Sequence, residues 1–484
     1  MRFQRRWVVA LVLSSALALS GCSLVGADGR GASEGSGHVT DHPSPPTTTC
    51  ETVTANLNMP DGMASADEEA TPPDTDRLQS ALDRCAQSGD SVVAIHLTGA
   101  GSDQDFLSGP LTLRQGEVLM VDPGVVLYAS LNPSDYEAAG GGTCGTVSGD
   151  GKGCRAFIEV RAPNTGIQSE IVPGAARGRI DGRGGEHILG ENLSWWDLAE
   201  QARSQNLPNV PRLIDANAAD RFSLADVTLA NAAGYHFYYK NGDDLSVWGV
   251  RIDTPGSARN TDGIDLDGVQ NAAVVDSWIS AGDDGIAVKA TSKPSRGIIV
   301  RGNHLFGTHG ISIGAVTTAG VNHVLVTDNT ISGRDAFGNR SDASIGIRIK
   351  SAAQFGGKVQ AITYRNTCID AVSHPIVIDP DYLRKTGDHP PVFSDIRVEG
   401  LKATNSPANA TSQLKGLDRN RPLTLRISDT TVDAAAVQTR DALIRAHNVT
   451  FDGKPLASLG GLVAEGADAQ PHLPSCSFPA FPAG

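Results

Sequence analysis

Three aspartates and a histidine stand immediately ahead of a recurring glycine-isoleucine phrase. Asp262 precedes Gly263-Ile264-Asp265-Leu266, and Asp283-Asp284 precedes Gly285-Ile286-Ala287-Val288. His309 precedes Gly310-Ile311-Ser312-Ile313, and a fourth copy, Gly346-Ile347-Arg348-Ile349, runs into Lys350. Neighbouring carboxyls can carry out acid-base hydrolysis of the kind a glycosidic bond requires. One, protonated, donates to the leaving oxygen; another, ionised, activates water or attacks the sugar. Crowded carboxylates cannot all ionise easily, so one pKa should rise and the group should titrate as a unit. His309 can hydrogen-bond a carboxyl and help set its protonation. Arg348 and Lys350 add the positive charge that an enzyme acting on an anionic polymer needs.

These residues acquire a common location only if the chain repeats. The four glycines lie 22, 25 and 36 residues apart. A second phrase, apolar-x-apolar-x-(Asp/Asn/Gly)-x-x-apolar, starts at Phe222, Leu245, Ala272, Ile298, Val324, Ile362, Ile396, Leu425 and Ile444. Two phrases alternating in fixed order predict a parallel β-helix, in which equivalent residues stack from coil to coil. Asp262, Asp284 and His309 then form a column, and strand alternation points Arg348 and Lys350 outward beside it. The unequal steps predict loops projecting from one side. Asp243-Asp244 is a useful contrast: it precedes the strand at Leu245, in the other register, and reads as a turn.

The chain has 484 residues, 54 of them glycine, with 5% aromatics. That composition suits a turn-rich all-β solenoid. A net charge of −14 argues against a nucleic-acid partner. Arg2, Arg5 and Arg6 followed by the apolar run from Trp7 to Leu19 form an export signal. Leu19-Ser20-Gly21-Cys22 resembles a bacterial lipobox, so Cys22 is the expected lipidation site and residues 1–22 the signal peptide. Residues 23–49, rich in Gly, Ser, Pro and Thr, read as a flexible tether, leaving 50–484 as one catalytic β-helix domain. Asp74 to Ser88 carries Leu78, Ala81, Leu82 and Cys85 at helical spacing, with Asp74 as N-cap, and reads as a helix closing the N-terminal end of the solenoid. Besides Cys22 six cysteines remain, which in an oxidising compartment pair as disulfides. Chain order suggests Cys50/Cys85, Cys144/Cys154 and Cys368/Cys476, although six cysteines allow 15 pairings. Their spacing matches no zinc site, and neither a metal nor an organic cofactor is implied.

Asn260-Thr261-Asp262, Gly282-Asp283-Asp284, Thr308-His309-Gly310 and Arg348-Ile349-Lys350, in that order, resemble the four signature motifs of polygalacturonases, glycoside hydrolase family 28. The resemblance runs from about Cys50 to about residue 435. It takes in Gly178-Arg179-Ile180-Asp181-Gly182-Arg183-Gly184-Gly185, Ser194-Trp195-Trp196 and Pro375-Ile376-Val377-Ile378-Asp379, and points to the secreted bacterial endopolygalacturonases. It implies a right-handed, single-stranded parallel β-helix, the pectin lyase-like solenoid, and inverting hydrolysis of α-1,4-linked galacturonan. By the same resemblance Asp283 is the general acid, Asp262 and Asp284 hold and activate water, and His309 tunes the acid. Arg348 and Lys350 bind substrate carboxylates, Tyr382 takes the place of a substrate-contacting tyrosine, and Asn260 lines the cleft. The third motif departs from the family's usual Gly-His-Gly in having Thr308, with one residue fewer just before it.

The expected partner is therefore pectin or polygalacturonic acid. The enzyme is expected to be an exported monomer, extracellular or held at the outer membrane, touching a membrane only through the Cys22 lipid. Exo-action, or action on substituted pectin, depends on loops closing one end of the cleft. A pectate lyase would need Ca²⁺ and a basic catalytic residue. A non-catalytic carbohydrate-binding β-helix has no need of the Asp262/Asp283/Asp284/His309 column.

Overall fold

The computed structural model describes residues 42–139, 143–148, 153–204, 207–434, 436–456, 463–464 and 471–482. The signal peptide, Cys22 and most of the tether lie outside them. The described chain winds into a right-handed parallel β-helix. One face is a ladder of eleven strands in strict sequence order, from Leu111–Leu113 to Ala436–Arg440. Among its rungs are Ile264–Asp267, Ile286–Lys289, Ile311–Ile313, Ile345–Lys350 and His374–Asp379. Two further faces, joined to each other by a sharp bend, complete each coil.

Both phrases keep the register read from the sequence. On the eleven-stranded face Ile264, Ile286, Ile311 and Ile347 pair in succession. On a second face Leu245, Ala272, Ile298, Val324, Ile362, Ile396, Leu425 and Ile444 do the same. The Asp/Asn/Gly position of that phrase marks the bend into the third face. Asp226, Gly249, Asp276, Gly302, Asp328, Asn366, Gly400, Asp429 and Asn448 all have φ between 46° and 69°. Only glycine and the short polar side chains adopt this left-handed conformation readily. Inside the bend, buried asparagines replace lost backbone pairing: Asn329 Oδ1 accepts from Asn303 N–H at 2.9 Å, and Asn303 Oδ1 from Ser277 N–H at 3.0 Å.

The core is the coil interior, lined with stacked Ile, Leu and Val; Ile264, Ile286, Ile311 and Ile347 are all 1% exposed or less. Burying each such side chain stabilises the fold by about 1.5–3 kcal/mol. The capping helix spans Thr75–Cys85 and buries Leu78, Ala81, Leu82 and Cys85, the four residues its spacing singled out. It stops three residues short of Ser88. Asp74 is its N-cap by position, but its carboxylate accepts from Leu107 N–H at 2.9 Å and from Arg77 instead of capping the helix. Asp243 and Asp244 open the strand Asp243–Trp248 rather than forming a turn, and lie off the catalytic face.

The ends of the described chain run back over the solenoid. The last residues of the expected tether are seated rather than free: His42 Nε2 meets Asp226 at 2.7 Å and its ring packs edge-on against Trp248. At the other end, His472 N–H donates to Asp429, Cys476 is bonded to Cys368, and Phe481 packs edge-on against Phe306. The disulfides are Cys50–Cys85, Cys144–Cys154 and Cys368–Cys476, the pairing that chain order suggested.

Glycine opens the strands of the catalytic face because the next coil's backbone is too close for a side chain. A Cβ on Gly310, where φ is +77°, would lie 1.9 Å from Gly346 O. Gly310→Ala should therefore cost at least about 2 kcal/mol. Gly89→Ala, with φ +67° but nothing within 4 Å, should cost about 1 kcal/mol. Urea midpoints of the two variants check this; equal losses would mean that the coils slide apart to admit the methyl group.

Candidate active site

Asp262, Asp284 and His309 occupy the last position of the loops that enter the catalytic face, and the coil-to-coil ladder already includes them. Gly263 N–H donates to Asp284 O at 2.9 Å, and His309 N–H to Asp283 O at 2.8 Å. The loops at residues 254–263 and 333–344, together with the segment around Tyr382, wall a cleft of about 910 Å³. Asn260, Asp283, His309, Arg348 and Tyr382 line it, with Arg259, Arg340 and His374 not singled out by the sequence.

Asp283 is the acid turned toward the cleft, its side chain 21% exposed. His309 Nδ1 sits 2.8 Å from Asp283 Oδ1, Asp284 N–H donates to the same oxygen at 2.9 Å, and Asn260 Nδ2 reaches Oδ2 at 3.4 Å. Although burial opposes it, the hydrogen bond and charge of His309, with Lys350 and Arg348 behind, hold Asp283 below the usual carboxylate range. Thr308 preserves this arrangement. It is fully buried and its hydroxyl accepts the Gly310 N–H at 3.1 Å, fixing the turn that carries the imidazole.

Asp284 is nearly fully buried. Lys350 Nζ donates to its Oδ2 at 2.7 Å, Ser312 Oγ to Oδ1 at 2.7 Å, and Arg348 Nη1 to Oδ1 at 3.4 Å. Against its desolvation, Lys350 and Arg348 keep Asp284 below the ordinary range. Asp262 has the opposite environment: burial, then the charges of Asp283 and Asp265, push it well above that range. The expected raised carboxyl thus exists, and it is Asp262, whereas the resemblance gives the acid role to Asp283. Arg348 and Lys350 do point outward, but they are enclosed, at 11% and 7% exposure of their side chains. Both lie over the Tyr382 ring, at 5.2 and 5.3 Å.

Ser312, Asp265 and Lys289 were missed. The outward positions of successive rungs are Asp265, Ala287, Ser312 and Arg348, so the alternation that found Arg348 would have found Asp265 and Ser312 too. Asp283, Asp284 and His309 also bring potential ligand atoms within 4.8 Å of one another. A cation there would face the ammonium and guanidinium that already neutralise Asp284, and would have to break the Asp283–His309 hydrogen bond. The donor set suits a hydrogen-bonded acid better than a divalent ion.

Comparison with known proteins agrees with this geometry. The sequence pattern of glycosyl hydrolases family 28 matches residues 145–450. An endo-polygalacturonase of Pectobacterium carotovorum subsp. carotovorum is 37% identical over 381 residues, spanning 78% of this chain and 87% of the relative. A polygalacturonase of Ralstonia solanacearum is 34% identical over 427 residues, 79% of this chain and 78% of the relative. The solved polygalacturonase from Erwinia carotovora ssp. carotovora superposes with a TM-score of 0.71 at 32% identity, covering 84% of this chain and 98% of that one. With its four motifs gathered on one face of a parallel β-helix, the chain belongs to glycosyl hydrolases family 28.

Proposed function

We propose that the protein is an endo-acting polygalacturonase, hydrolysing α-1,4-galacturonosyl linkages of pectin or polygalacturonate with inversion. The observation that carries this reading is Asp283, paired with His309 at 2.8 Å in an open cleft and flanked by two buried aspartates and two cations. As the C1–O4 bond breaks, Asp283 protonates the leaving O4. A water held by Asp262 and Asp284 attacks C1 from the opposite face. Its hydroxyl becomes the new anomeric group and its proton passes to the carboxylate. His309, 2.8 Å from Asp283, is placed to exchange a proton with it as the leaving oxygen gains charge.

Arg348 and Lys350, with Tyr382 beneath them, bind a galacturonate carboxylate. Lys350 also holds Asp284 ionised, so Lys350→Ala is expected to lower kcat as well as raise KM. A change confined to KM would leave Asp284 independent of Lys350. Cleavage within the chain is supported by the endo-polygalacturonase relatives. Three disulfides suit an oxidising compartment. We place the mature enzyme, as a monomer, outside the cytoplasm and lipidated at Cys22.

Protein lacking residues 1–22, assayed on polygalacturonic acid in EDTA, should reduce viscosity steeply after few cuts and give no unsaturated product. Reducing ends accumulating at constant viscosity would show exo-action, and an EDTA-sensitive unsaturated product would show a lyase.

Asp283→Asn should lower kcat at least about 10²-fold, the usual contribution of a general acid. His309→Ala removes the hydrogen bond and the charge that hold Asp283 low against its burial. The Asp283 carboxyl should then keep its proton to higher pH. The basic limb of the kcat profile should therefore move to higher pH. An unmoved limb would exclude His309 from the acid couple.

A further inference from the structure

The two buried aspartates assigned to the water each have a lysine, and the two lysines come from one register of the catalytic face. Lys289 pairs with Asp267 on the preceding rung. Continuing the ladder from the Val288–Ile313 and Ile313–Ile349 pairs, Lys289 stacks on Gly314 and Gly314 on Lys350. Lys350 grips Asp284. Two coils earlier, Lys289 Nζ lies 3.5 Å from Asp262 Oδ2 and donates to Asp265 Oδ2 at 2.6 Å. The Tyr235 ring underlies the ammonium at 4.9 Å. Asp265 is fully buried and its other oxygen has no hydrogen-bond partner, so its strongest favourable contact is with Lys289, with Arg212 a weaker second.

Resting on the hydrolase reading above, we infer that Lys289 is a positioning residue for this reaction: anchored by Asp265 and Tyr235, it favours the ionised form of the Asp262 carboxyl against its acidic surroundings and orients it to take a proton from the attacking water. Among the described residues Lys289 is the only base within ion-pair distance of Asp262. The other charged or titratable groups facing Asp262 are Asp265, Asp283, Asp284, Tyr235 and His236. None of them supplies positive charge. His236, bonded through Nδ1 to the Asp262 carbonyl and through Nε2 to Thr254, is held neutral by burial, with its pKa pulled down to about 4. Three neighbouring carboxylates and desolvation drive Asp262 toward protonation, and Lys289 opposes them. A protonated Asp262 cannot accept a proton, so the lysine decides how far into acid the enzyme works. Direct binding of a substrate carboxylate fits Lys289 less well, because its side chain is 14% exposed and already committed to Asp265.

The test pairs kinetics with a titration that needs no turnover. In Lys289→Met the acidic limb of kcat should move up by about one pH unit, the lower end of the shift an adjacent opposite charge produces. KM at the pH optimum should change less than about threefold, and Lys289→Arg should restore most of the limb. The ¹³C-carboxyl signal of Asp262, assigned with Asp262→Asn, should titrate at correspondingly higher pH in Lys289→Met. Asp265→Asn, which removes a repelling charge and leaves the lysine in place, should move both readouts to lower pH; it decides the matter if Lys289→Met fails to fold. Opposite shifts in the two variants support the inference, because general structural damage moves both the same way. An unmoved Asp262 titration overturns it, and a raised KM with an unmoved acidic limb would make Lys289 a substrate-binding group instead. If the wild type leaves polygalacturonate intact, the hydrolase reading fails, while the carboxyl titration still tests the Lys289–Asp262 coupling by itself.

Discussion

Everything in this molecule depends on parallel strand pairing from one coil to the next. The hydrogen bonds fix the axial step at about 4.8 Å and allow no slip, since a shift of one residue would turn Ile264, Ile286, Ile311 and Ile347 out of the core. That rigidity turns sequence spacing into spatial proximity. Asp262 and His309, 47 positions apart in the chain, become neighbours two rungs apart. The glycines that open these strands belong to the same constraint. They let the backbones approach where the acids must sit, and they leave room for little else.

Within that frame, three aspartates of one residue type acquire three electrostatic environments. Asp284 is buried among donors and cations and stays ionised. Asp283 is open to the cleft and hydrogen-bonded to an imidazole that lowers its proton affinity. Asp262 is buried among acids with one lysine at the limit of an ion pair. Two carboxylates of one kind can divide the acid and base roles only if their surroundings differ in this way. Here the difference arises from which rung supplies each neighbour, not from the carboxyls themselves.

Much of this could be read before folding, because a solenoid's tertiary contacts are local in register. The nine bends and the coil-to-coil partners of the second phrase follow from counting residues, and its Asp/Asn/Gly position is left-handed in each of its nine copies. Other features could not be counted. Whether Lys350 faces solvent or Asp284 depends on how the Tyr382 segment folds across it, and irregular loops carry no period. That Asp262 rather than Asp283 is the raised carboxyl depends on its burial and on how near Asp283 and Asp265 lie, set against Lys289, a balance of distances. The seating of His42 on Asp226 and Trp248 was hidden by a composition that reads as linker. Residues 1–41 lie outside the described structure, so the lipobox rests on sequence alone.

A row of coils that touch only their neighbours is prone to fray from its ends, each rung peeling away at little more than the cost of its own interface. The C-terminal segment changes that. It runs back from the Asp429 coil, is bonded at Cys368, and ends against Phe306, on the coil that also carries His309. The last rungs are therefore bracketed, with the rung of Arg348 and Lys350 enclosed between the strap's anchor points. Loosening the terminal coils has to disturb contacts several rungs inward, so the cation-bearing part of the cleft is drawn into the cooperative unit and removed from the fraying end. The chain gains from this a scarcity of partly open states in which a protease could cut it.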